Sequence, residues 1–424
     1  MPKNDLEATT DPDETDTTAQ GTIAASTSRL GSIDAYRGLV MFLMIGEALH
    51  LGAISVAHPD SPFWKFLAHH QEHVEWVGCS LHDLIQPSFS FLVGVALPFS
   101  IAARRSRGQS GLRMSIHAFW RAFILVALGI FLRSMDRRYN QTNFTFEDTL
   151  TQIGLGYGFL FLLGLRPVRD QWIALGLILV GYWAAFALYT PGEGFDLTKV
   201  GVPADWPHLA QGFAAHWNKN ANLAWKFDTW FLNLFPRKQP FTYNGGGYAT
   251  LSFIPTLGTM ILGLIAGGVL RDSERPAPAR IGWLVVAGLI CLAVGWGLGA
   301  VGVCPVVKRI WTPSWVLFSG GWCFLILAGW HVLVDLAGLW YLAFPLIVIG
   351  ANSIAAYIMS WTIKGFLNDS LDKHQWLLLD SPLGHWLTSV VPTGYEPLIR
   401  GASVVLLIWL ILLWMYRRKV FLRI

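Results

Sequence analysis

The chain has 424 residues, of which 53% are hydrophobic and only 14% are charged. Soluble domains carry about 25% charged residues. A soluble chain of this length would form roughly two or three domains, and this chain has too little charge to cover their surfaces. The formal net charge of +4 gives no indication of a nucleic-acid partner, and the composition predicts a protein that crosses a membrane several times.

The first 30 residues form an acidic segment without an apolar run. Six acidic residues fall within its first sixteen positions, among Thr and Ala residues. Such a segment cannot bury enough apolar surface to fold, and it lacks the apolar stretch of a cleaved signal peptide. We expect a disordered acidic tail at 1–30, on the cytoplasmic side, followed by a single transmembrane domain at 31–424.

Ten apolar runs follow the tail, and each is near the length of about 20 residues that a membrane-spanning helix needs. They lie at about 34–56, 81–103, 114–134, 149–165, 171–190, 250–270, 281–302, 313–336, 340–362 and 398–416. The fourth run is short, and the ninth is long enough to be broken near Gly350. The fold class that these runs predict is all-α, a bundle of about ten transmembrane helices.

Lys and Arg residues are concentrated in one of the two alternating sets of loops. Thirteen lie after the second, fourth and sixth runs and in the C-terminal tail, against fewer in short loops of the other set. The smaller group includes Lys65, Arg137, Arg138, Lys308, Arg309 and Lys373. Since positively charged short loops stay in the cytoplasm, both termini are predicted to be cytoplasmic. The long connection at about 191–249 then faces outward.

The first run contains four ionisable residues, which are rare at membrane depth and normally face a cavity or a partner. Asp34 and Arg37 are three residues apart on one helical face and predict a structural ion pair. Glu47 and His50 have the same spacing nearer the outer end. They either line a polar cavity or form a buried structural pair.

The densest cluster of ionisable residues is the segment 69–83, just before the second run. It contains four of the twelve histidines and three carboxylates, among them Glu75 and Asp83. Imidazole suits proton transfer near neutral pH, and a nearby carboxylate fixes its tautomer. The same residue types could hold zinc, although no H-E-x-x-H pattern is present, or form a solvated outer loop. Asp83 is also explained as the residue that opens the second helix.

Three further polar residues lie close to or within later runs. Asn244 opens a Gly-rich segment that either approaches a ligand closely or acts as a hinge. Lys308, before the eighth run, could hold an anionic group or belong to an interfacial belt. Asn352, inside the ninth run, could hydrogen-bond a neighbouring helix or a substrate.

The four cysteines have no metal-ligand spacing, and no metal site is expected. Cys291 and Cys323 fall within apolar runs, where packing is a sufficient explanation for them. A disulfide between Cys79 and Cys304 is conceivable if both face an oxidising side of the membrane.

Five short motifs occur in order along the chain. The segment 29–38 reads R-L-G-S-I-D-A-Y-R-G, and 73–87 follows H-x-x-W-x-G-C-x-x-x-D-L-x-x-P. The others are W-T-P-S-W at 311–315, Asn352-Ser353 with Tyr357 four residues on, and Y-R-R-K-V-F at 416–421. In these motifs the chain resembles the heparan-α-glucosaminide N-acetyltransferase family of multispan transferases, and its bacterial-type members in particular.

The resemblance implies a transmembrane acetyltransferase. In that family acetyl-CoA is supplied from the cytoplasmic side, the acetyl group reaches an amino sugar on the opposite side, and the histidine of H-x-x-W is catalytic. It therefore implies that His73 is the catalytic residue, as a general base or as a covalent acetyl carrier. Asp83 or Glu75 is expected to orient it. Acetyl-CoA is the expected co-substrate, with no motif that indicates its binding residues.

Three positions depart from the family pattern. Glu47 stands where the animal members have an asparagine. The segment 151–154 replaces an expected L-Q-R motif, so a membrane-embedded arginine is missing. Asn244 begins N-G-G-G-Y where many relatives read D-P-E-G. These departures bear on which acceptor the protein uses.

Seven residues are predicted to bind the substrates around His73. They are Glu47, His50, Trp76, Asn244, Lys308, Trp311 and Asn352. The expected partners are the lipid bilayer, a saccharide acceptor and, in a homodimer, a second copy of the chain. The bilayer would be the cell inner membrane if the protein is bacterial. The alternative hypothesis is a transporter or flippase of a polar or lipid-linked saccharide, which would move sugar without releasing CoA.

Overall fold

The computed structural model describes residues 30–135, 141–379, 381–382, 386 and 393–422. The predicted tail at 1–29 lies outside the described residues, as do Arg137, Arg138 and Arg423 from the comparison of loop charges. The structural statements that follow concern the unit Gly31–Ile424.

Each of the ten apolar runs corresponds to a helix or to a bent pair of helices. Among the described residues, seven helices are long and apolar enough to cross a membrane, and two bent pairs raise the number to nine. A further apolar helix, Thr149–Gly164, has 16 residues and is the short fourth run. The predicted all-α, multi-span class is confirmed, while the side that each end faces remains a prediction.

The helices are named in chain order. They are α1 (Gly31–Ile45), α2 (Leu51–Ala57), α3 (Pro62–Gln71), α4 (Ile85–Arg105), α5 (Gly111–Ser134), α6 (Thr149–Gly164), α7 (Val168–Ala187), α8 (Leu223–Phe231), α9 (Phe253–Arg271), α10 (Ala277–Ala300), α11 (Pro313–Trp330), α12 (Trp340–Ala351), α13 (Ser353–Thr362), α14 (Lys364–Leu379) and α15 (Glu396–Arg417).

The first run is broken between α1 and α2, which the sequence does not predict. The chain bends there by 44°, and His50 takes a left-handed conformation with φ of 50°. A break leaves backbone groups without helical partners, and Gln71 of α3 satisfies two of them. Its Oε1 accepts from the Leu51 amide at 2.7 Å, and its Nε2 donates to the Gly46 carbonyl at 2.6 Å.

The ninth run is broken at Asn352, close to the expected position near Gly350. The pair α12 and α13 bends there by 67°. The Asn352 amide donates to the Val420 carbonyl at 3.0 Å, and its oxygen accepts from the Leu422 amide at 3.2 Å. The side chain therefore ties the end of the chain to this break.

Helices α4 and α9 run parallel with their backbones in close contact. A Cβ on Gly263 would lie 1.9 Å from the Phe91 carbonyl oxygen, and one on Gly94 would lie 2.0 Å from the Met260 carbonyl oxygen. Only glycine permits such an approach. This contact fixes α4, whose N-terminal end carries residues of the candidate site.

The long connection between α7 and α9 folds into 3-10 turns around α8 and contains no helix of spanning length. Its buried Trp206 and Trp217 pack with Tyr182 of α7 and with Val307 in one hydrophobic cluster. Trp76 belongs to the same cluster. The connection is thus a packed cap that supports the segment on which His73 lies.

Candidate active site

The segment between α3 and α4 holds His73 and is fastened to residues far along the chain. Val77 pairs with Val307 in a short β-bridge, and the Gly78 amide donates to the Val306 carbonyl at 3.0 Å. The guanidinium of Arg309 donates to the Val74 carbonyl at 3.2 Å. The segment before α11 therefore holds the backbone on both sides of Glu75 and Trp76.

His73 and Asp83 form a hydrogen-bonded pair. Nδ1 of His73 lies 2.8 Å from Oδ1 of Asp83, whose side chain is only 1% exposed. Oδ2 of Asp83 accepts from the amides of Val74 at 3.2 Å and Ser80 at 3.0 Å, and from the Ser80 hydroxyl at 3.0 Å. The carboxylate is therefore held in one orientation toward the imidazole.

The contact with Asp83 favours one tautomer of His73. An ionised carboxylate only accepts hydrogen bonds, so in this tautomer Nδ1–H donates to Asp83 and the lone pair is on Nε2, while the ammonium of Lys308 donates to Asp83 and not to Nδ1. Burial lowers the pKa of His73, and the nearby charges of Lys308 and His82 act in the same direction, against the opposing effect of Asp83. The imidazole is neutral near pH 7, as a base or nucleophile must be.

Lys308 completes this group from the segment before α11. Its Nζ lies 3.2 Å from Oδ1 of Asp83 and 3.0 Å from Nδ1 of His73, and its side chain is 5% exposed. The ammonium balances the buried carboxylate. The sequence predicts Lys308 as a substrate-binding residue, and the structure brings it to the His73–Asp83 pair.

A cavity of about 520 Å³ opens beside His73, whose side chain is 38% exposed. Charged and imidazole side chains on its wall are Glu47, His73, His82, Arg133, Glu147, Asp148, Lys308 and Lys364. They come from the end of the first run, the start of α4, the end of α5, the start of α6 and the residues after α13. These helix ends therefore meet at the same end of the bundle.

Glu47 and His82 form a second histidine–carboxylate pair in this cavity. Nε2 of His82 lies 3.0 Å from one oxygen of Glu47, and Nζ of Lys364 lies 2.8 Å from the other. The rings of His82 and His73 are 4.6 Å apart between centroids. The sequence groups Glu47 with His50, whereas the fold pairs it with residues of two other helices.

A second cavity of about 450 Å³ adjoins the first. Both are lined by Arg133, Glu147, Tyr248 and Trp361. Arg133 donates to Glu147 at 2.7 Å and lies over the Trp361 ring, 5.4 Å from its centre. These residues form the wall shared by the two cavities.

Asn244 lines the second cavity and not the first. Its side-chain oxygen accepts from the Gly246 amide at 2.8 Å, which closes a tight turn beside the cavity. Asp228 lies on the same wall, and burial raises its pKa to about 7. The second cavity thus offers amide and carboxyl groups next to aromatic rings.

Besides Asp83, which reaches the first cavity through His73, five predicted site residues line neither cavity. Glu75 accepts from the indole N–H of Trp206, and its other oxygen lies 3.8 Å from Nε2 of His208, so it faces the cap. His50 is exposed at the break after α1. Trp76 is buried in the cap and donates to the Trp217 carbonyl at 3.2 Å.

The other two predicted binding residues have structural partners. Trp311 is buried, and its indole N–H donates to the Thr259 hydroxyl at 3.1 Å. Asn352 serves the break between α12 and α13 and is absent from both cavity walls. Among the predicted residues, the structure therefore brings Glu47, His73, Asp83 and Lys308 together.

Sequence reasoning missed His82, Lys364 and Arg133 as parts of the site. His82 lies in the histidine-rich segment, but the H-x-x-W pattern directs attention to His73 alone. Lys364 and Arg133 lie at the ends of apolar runs, where a single cation is also typical of an interface anchor. Only their position on the cavity wall sets them apart.

The sequence also allows a zinc site and a disulfide. In the part of the chain that the structure describes, no three His, Cys, Asp or Glu side chains come together as a metal site. Cys79 and Cys304 are free thiols, so the disulfide considered from the sequence is not formed. Burial raises the pKa of Cys79 to about 12, so it is a protonated thiol and a poor nucleophile.

Comparison with known proteins gives two similar sequences, although no family model matches the chain. The chain is 23% identical to heparan-alpha-glucosaminide N-acetyltransferase of Mus musculus over 414 residues, which are 88% of this chain and 59% of the relative. It is 25% identical to the Homo sapiens protein of the same name over 439 residues, 94% of this chain and 60% of the relative. The chain spans about three fifths of the length of the curated relatives it matches. The resemblance inferred from the motifs is confirmed as a distant relationship.

Proposed function

We propose that this distant relative of heparan-alpha-glucosaminide N-acetyltransferase is a transmembrane acetyltransferase. It would move the acetyl group of acetyl-CoA to an amino sugar or another saccharide. The observation that carries the proposal is the His73–Asp83 pair, 2.8 Å apart, whose imidazole stands at a cavity between helix ends. The names of the two relatives support the reaction class.

Two routes use the same imidazole. In the first, Nε2 of His73 takes a proton from the acceptor as the acceptor attacks the thioester carbonyl, and the imidazolium gives that proton to the departing CoA sulfur. In the second, Nε2 attacks the carbonyl, the C–S bond breaks, and the acetyl group then passes from the imidazole to the acceptor. Both routes require a neutral His73 with Nδ1–H directed at Asp83.

Asp83 and Lys308 would support these steps in different ways. Asp83 stabilises the imidazolium that forms when His73 accepts a proton, and keeps the ring in one tautomer. Lys308 lowers the pKa of the resting imidazole. An N–H of its ammonium that faces the cavity would also stabilise the oxyanion of the tetrahedral intermediate.

The sides of the reaction follow from the predicted orientation. With both termini in the cytoplasm, the end of the bundle that carries His73 faces outward, toward the acceptor. Acetyl-CoA would be supplied from the cytoplasm, and the acetyl group would reach the acceptor on the outer side. The protein would be an integral protein of the cell inner membrane in a bacterium. The adjoining cavity, with Asn244 and the aromatic rings of Tyr248 and Trp361, suits the polar edges and apolar faces of a sugar ring.

The first test follows acetyl-CoA consumption by purified protein with glucosamine present. His73→Ala should reduce turnover by about 10²- to 10⁴-fold, the usual contribution of a positioned proton-transfer group. His69→Ala is the matched control, because His69 is exposed on α3 and should leave turnover unchanged. Unchanged turnover in His73→Ala, with a thermal unfolding curve like that of the parent, would remove His73 from the mechanism.

The same preparation distinguishes an acetyltransferase from a transporter. A transporter moves sugar across vesicles without releasing CoA, and acetyl-CoA would not raise its unfolding temperature. We expect acetyl-CoA to raise the unfolding temperature of the detergent-solubilised protein, by more as its concentration rises above Kd, since a ligand that binds only the folded state stabilises it by RT ln(1 + [L]/Kd).

A further inference from the structure

The cavity beside His73 contains an exposed carboxylate that the transfer chemistry described above does not use. The Glu47 side chain is 45% exposed, whereas those of Glu147 and Asp83 are 12% and 1% exposed. Glu47 lies at the end of the first run, on the wall of the same cavity as His73. A substrate in the cavity can therefore reach this carboxylate.

The partners of Glu47 hold it in place and leave it accessible. Nε2 of His82 lies 3.0 Å from Oε1, and this ring in turn stands 4.6 Å from the His73 ring. The His82 ring is thus close to both Glu47 and His73. The other ionisable side chains on the cavity wall are Arg133, Glu147, Asp148, Tyr248, Lys308, Tyr357 and Lys364.

The second partner of Glu47 is itself a primary ammonium. Nζ of Lys364 lies 2.8 Å from Oε2 of Glu47, and the Lys364 side chain is 26% exposed. The contact demonstrates the geometry that an R–NH₃⁺ group adopts on this carboxylate. Because Lys364 is partly solvated, exchanging it for another ammonium costs less than exchanging a buried partner.

We propose that Glu47 binds the protonated amino group of the acceptor, in place of Lys364, and passes its first proton to solvent. This inference rests on the proposed acetyltransferase function and makes it specific for amines. The adjacent His82 would keep the carboxylate facing the cavity, as a positioning residue.

Acetyl transfer to an amine removes two protons from the nitrogen. An ammonium has no lone pair, so it must lose one proton before its nitrogen can attack the thioester. That proton passes by way of Glu47 to solvent, the C–N bond forms, and His73 takes the second N–H proton. The C–S bond then breaks and the CoA sulfur leaves with the proton from His73. R–NH₃⁺ and acetyl-CoA give the acetamide, CoA thiol and one proton, which Glu47 releases to solvent.

Glu47 has the same role in the acetyl-imidazole route as in direct transfer. In both routes the attacking nitrogen of the acceptor must be neutral. An amine with a pKa near 8 is about nine-tenths protonated at pH 7. A hydroxyl acceptor or a weakly basic amine carries no such proton. The dependence on Glu47 should therefore follow the basicity of the acceptor.

The test compares two acceptors with parent protein and with Glu47→Gln. Glucosamine is largely protonated at pH 7, whereas methoxyamine is neutral there. We expect Glu47→Gln to lower kcat/KM for glucosamine by about 10-fold at pH 7, because only the neutral fraction of the amine still reacts, with recovery as the pH rises through the pKa of the amine. For methoxyamine the same variant should keep kcat/KM within about twofold. Glu193→Gln, in the exposed part of the cap, is the matched control and should not discriminate between the acceptors.

Two results would overturn the inference. An equal loss for both acceptors would mean that Glu47 only supports the structure, and no loss for glucosamine would mean that it does not handle the first proton. Parent turnover that depends on His73 shows that the proposed function stands in either case. If the parent protein transfers acetyl groups to neither acceptor, it is the proposed function that fails.

Discussion

Asp83 is the residue whose contacts most clearly determine the chemistry of His73. It accepts from Nδ1 of His73 at 2.8 Å and from two backbone amides, and it shares Lys308 with the imidazole. An amide in its place could present N–H instead of oxygen to His73, which would favour the proton on Nε2. The imidazole would then have no lone pair toward the cavity.

We expect Asp83→Asn to reduce acetyl transfer by about 10²- to 10⁴-fold. It should also lower stability by about 3–5 kcal/mol, because Lys308 loses its buried counter-charge. Glu75→Gln, two residues from His73 but directed at Trp206, should retain most of the activity. Rates per folded molecule, measured after size-exclusion chromatography, separate the two effects. If Glu75→Gln is the more damaging change, the assignment of Asp83 as the orienting residue is wrong.

The contrast between Asp83 and Glu75 shows how far sequence reasoning can go at this scale. The H-x-x-W pattern identifies His73, and the segment 69–83 supplies several carboxylates close to it in sequence. Which carboxylate reaches the ring depends on the turn before α4, and Lys308 comes from 235 residues away. Neither contact follows from local spacing, because both are produced by tertiary packing.

At the scale of helices, the close pair α4 and α9 determines where the site begins. Gly263→Ala would put a Cβ 1.9 Å from the Phe91 carbonyl oxygen, so the two backbones must move apart. We expect this variant to lower the unfolding temperature and, because α4 carries His82 and Asp83 at its start, to lower the rate of acetyl transfer as well.

Gly268→Ala on the same helix is the control, because a Cβ there meets no atom within 4 Å. Alanine favours a helix over glycine by about 1 kcal/mol, so this variant should be at least as stable as the parent. Thermal unfolding followed by tryptophan fluorescence compares the two. Equal unfolding temperatures for both variants would contradict the close packing of α4 and α9.

The ten apolar runs predict the helices well because run length and composition are local properties. The breaks are less predictable. Gly350 suggests a weak point in the ninth run, and the bend occurs at Asn352. The break after Leu49 depends on Gln71, which accepts from one side of the gap and donates to the other. A long-range side-chain contact of this kind leaves no signal in the hydrophobic pattern.

At the scale of the whole molecule, the scarce charge is divided between two uses. Arginines cluster in the loops at one end of the helices, where they are predicted to set the orientation. A second group of buried and half-buried charges lies at the opposite end, around the cavity with His73, Glu47 and Lys364. In the proposed reaction, this is the end that the acceptor would reach.

The most direct test of the account uses sealed vesicles with purified protein, acetyl-CoA trapped inside and glucosamine outside. We expect N-acetylglucosamine in the outer solution with the parent protein and none above background with His73→Ala. Product formed equally by His73→Ala, or formed only after the vesicles are made permeable, would contradict it.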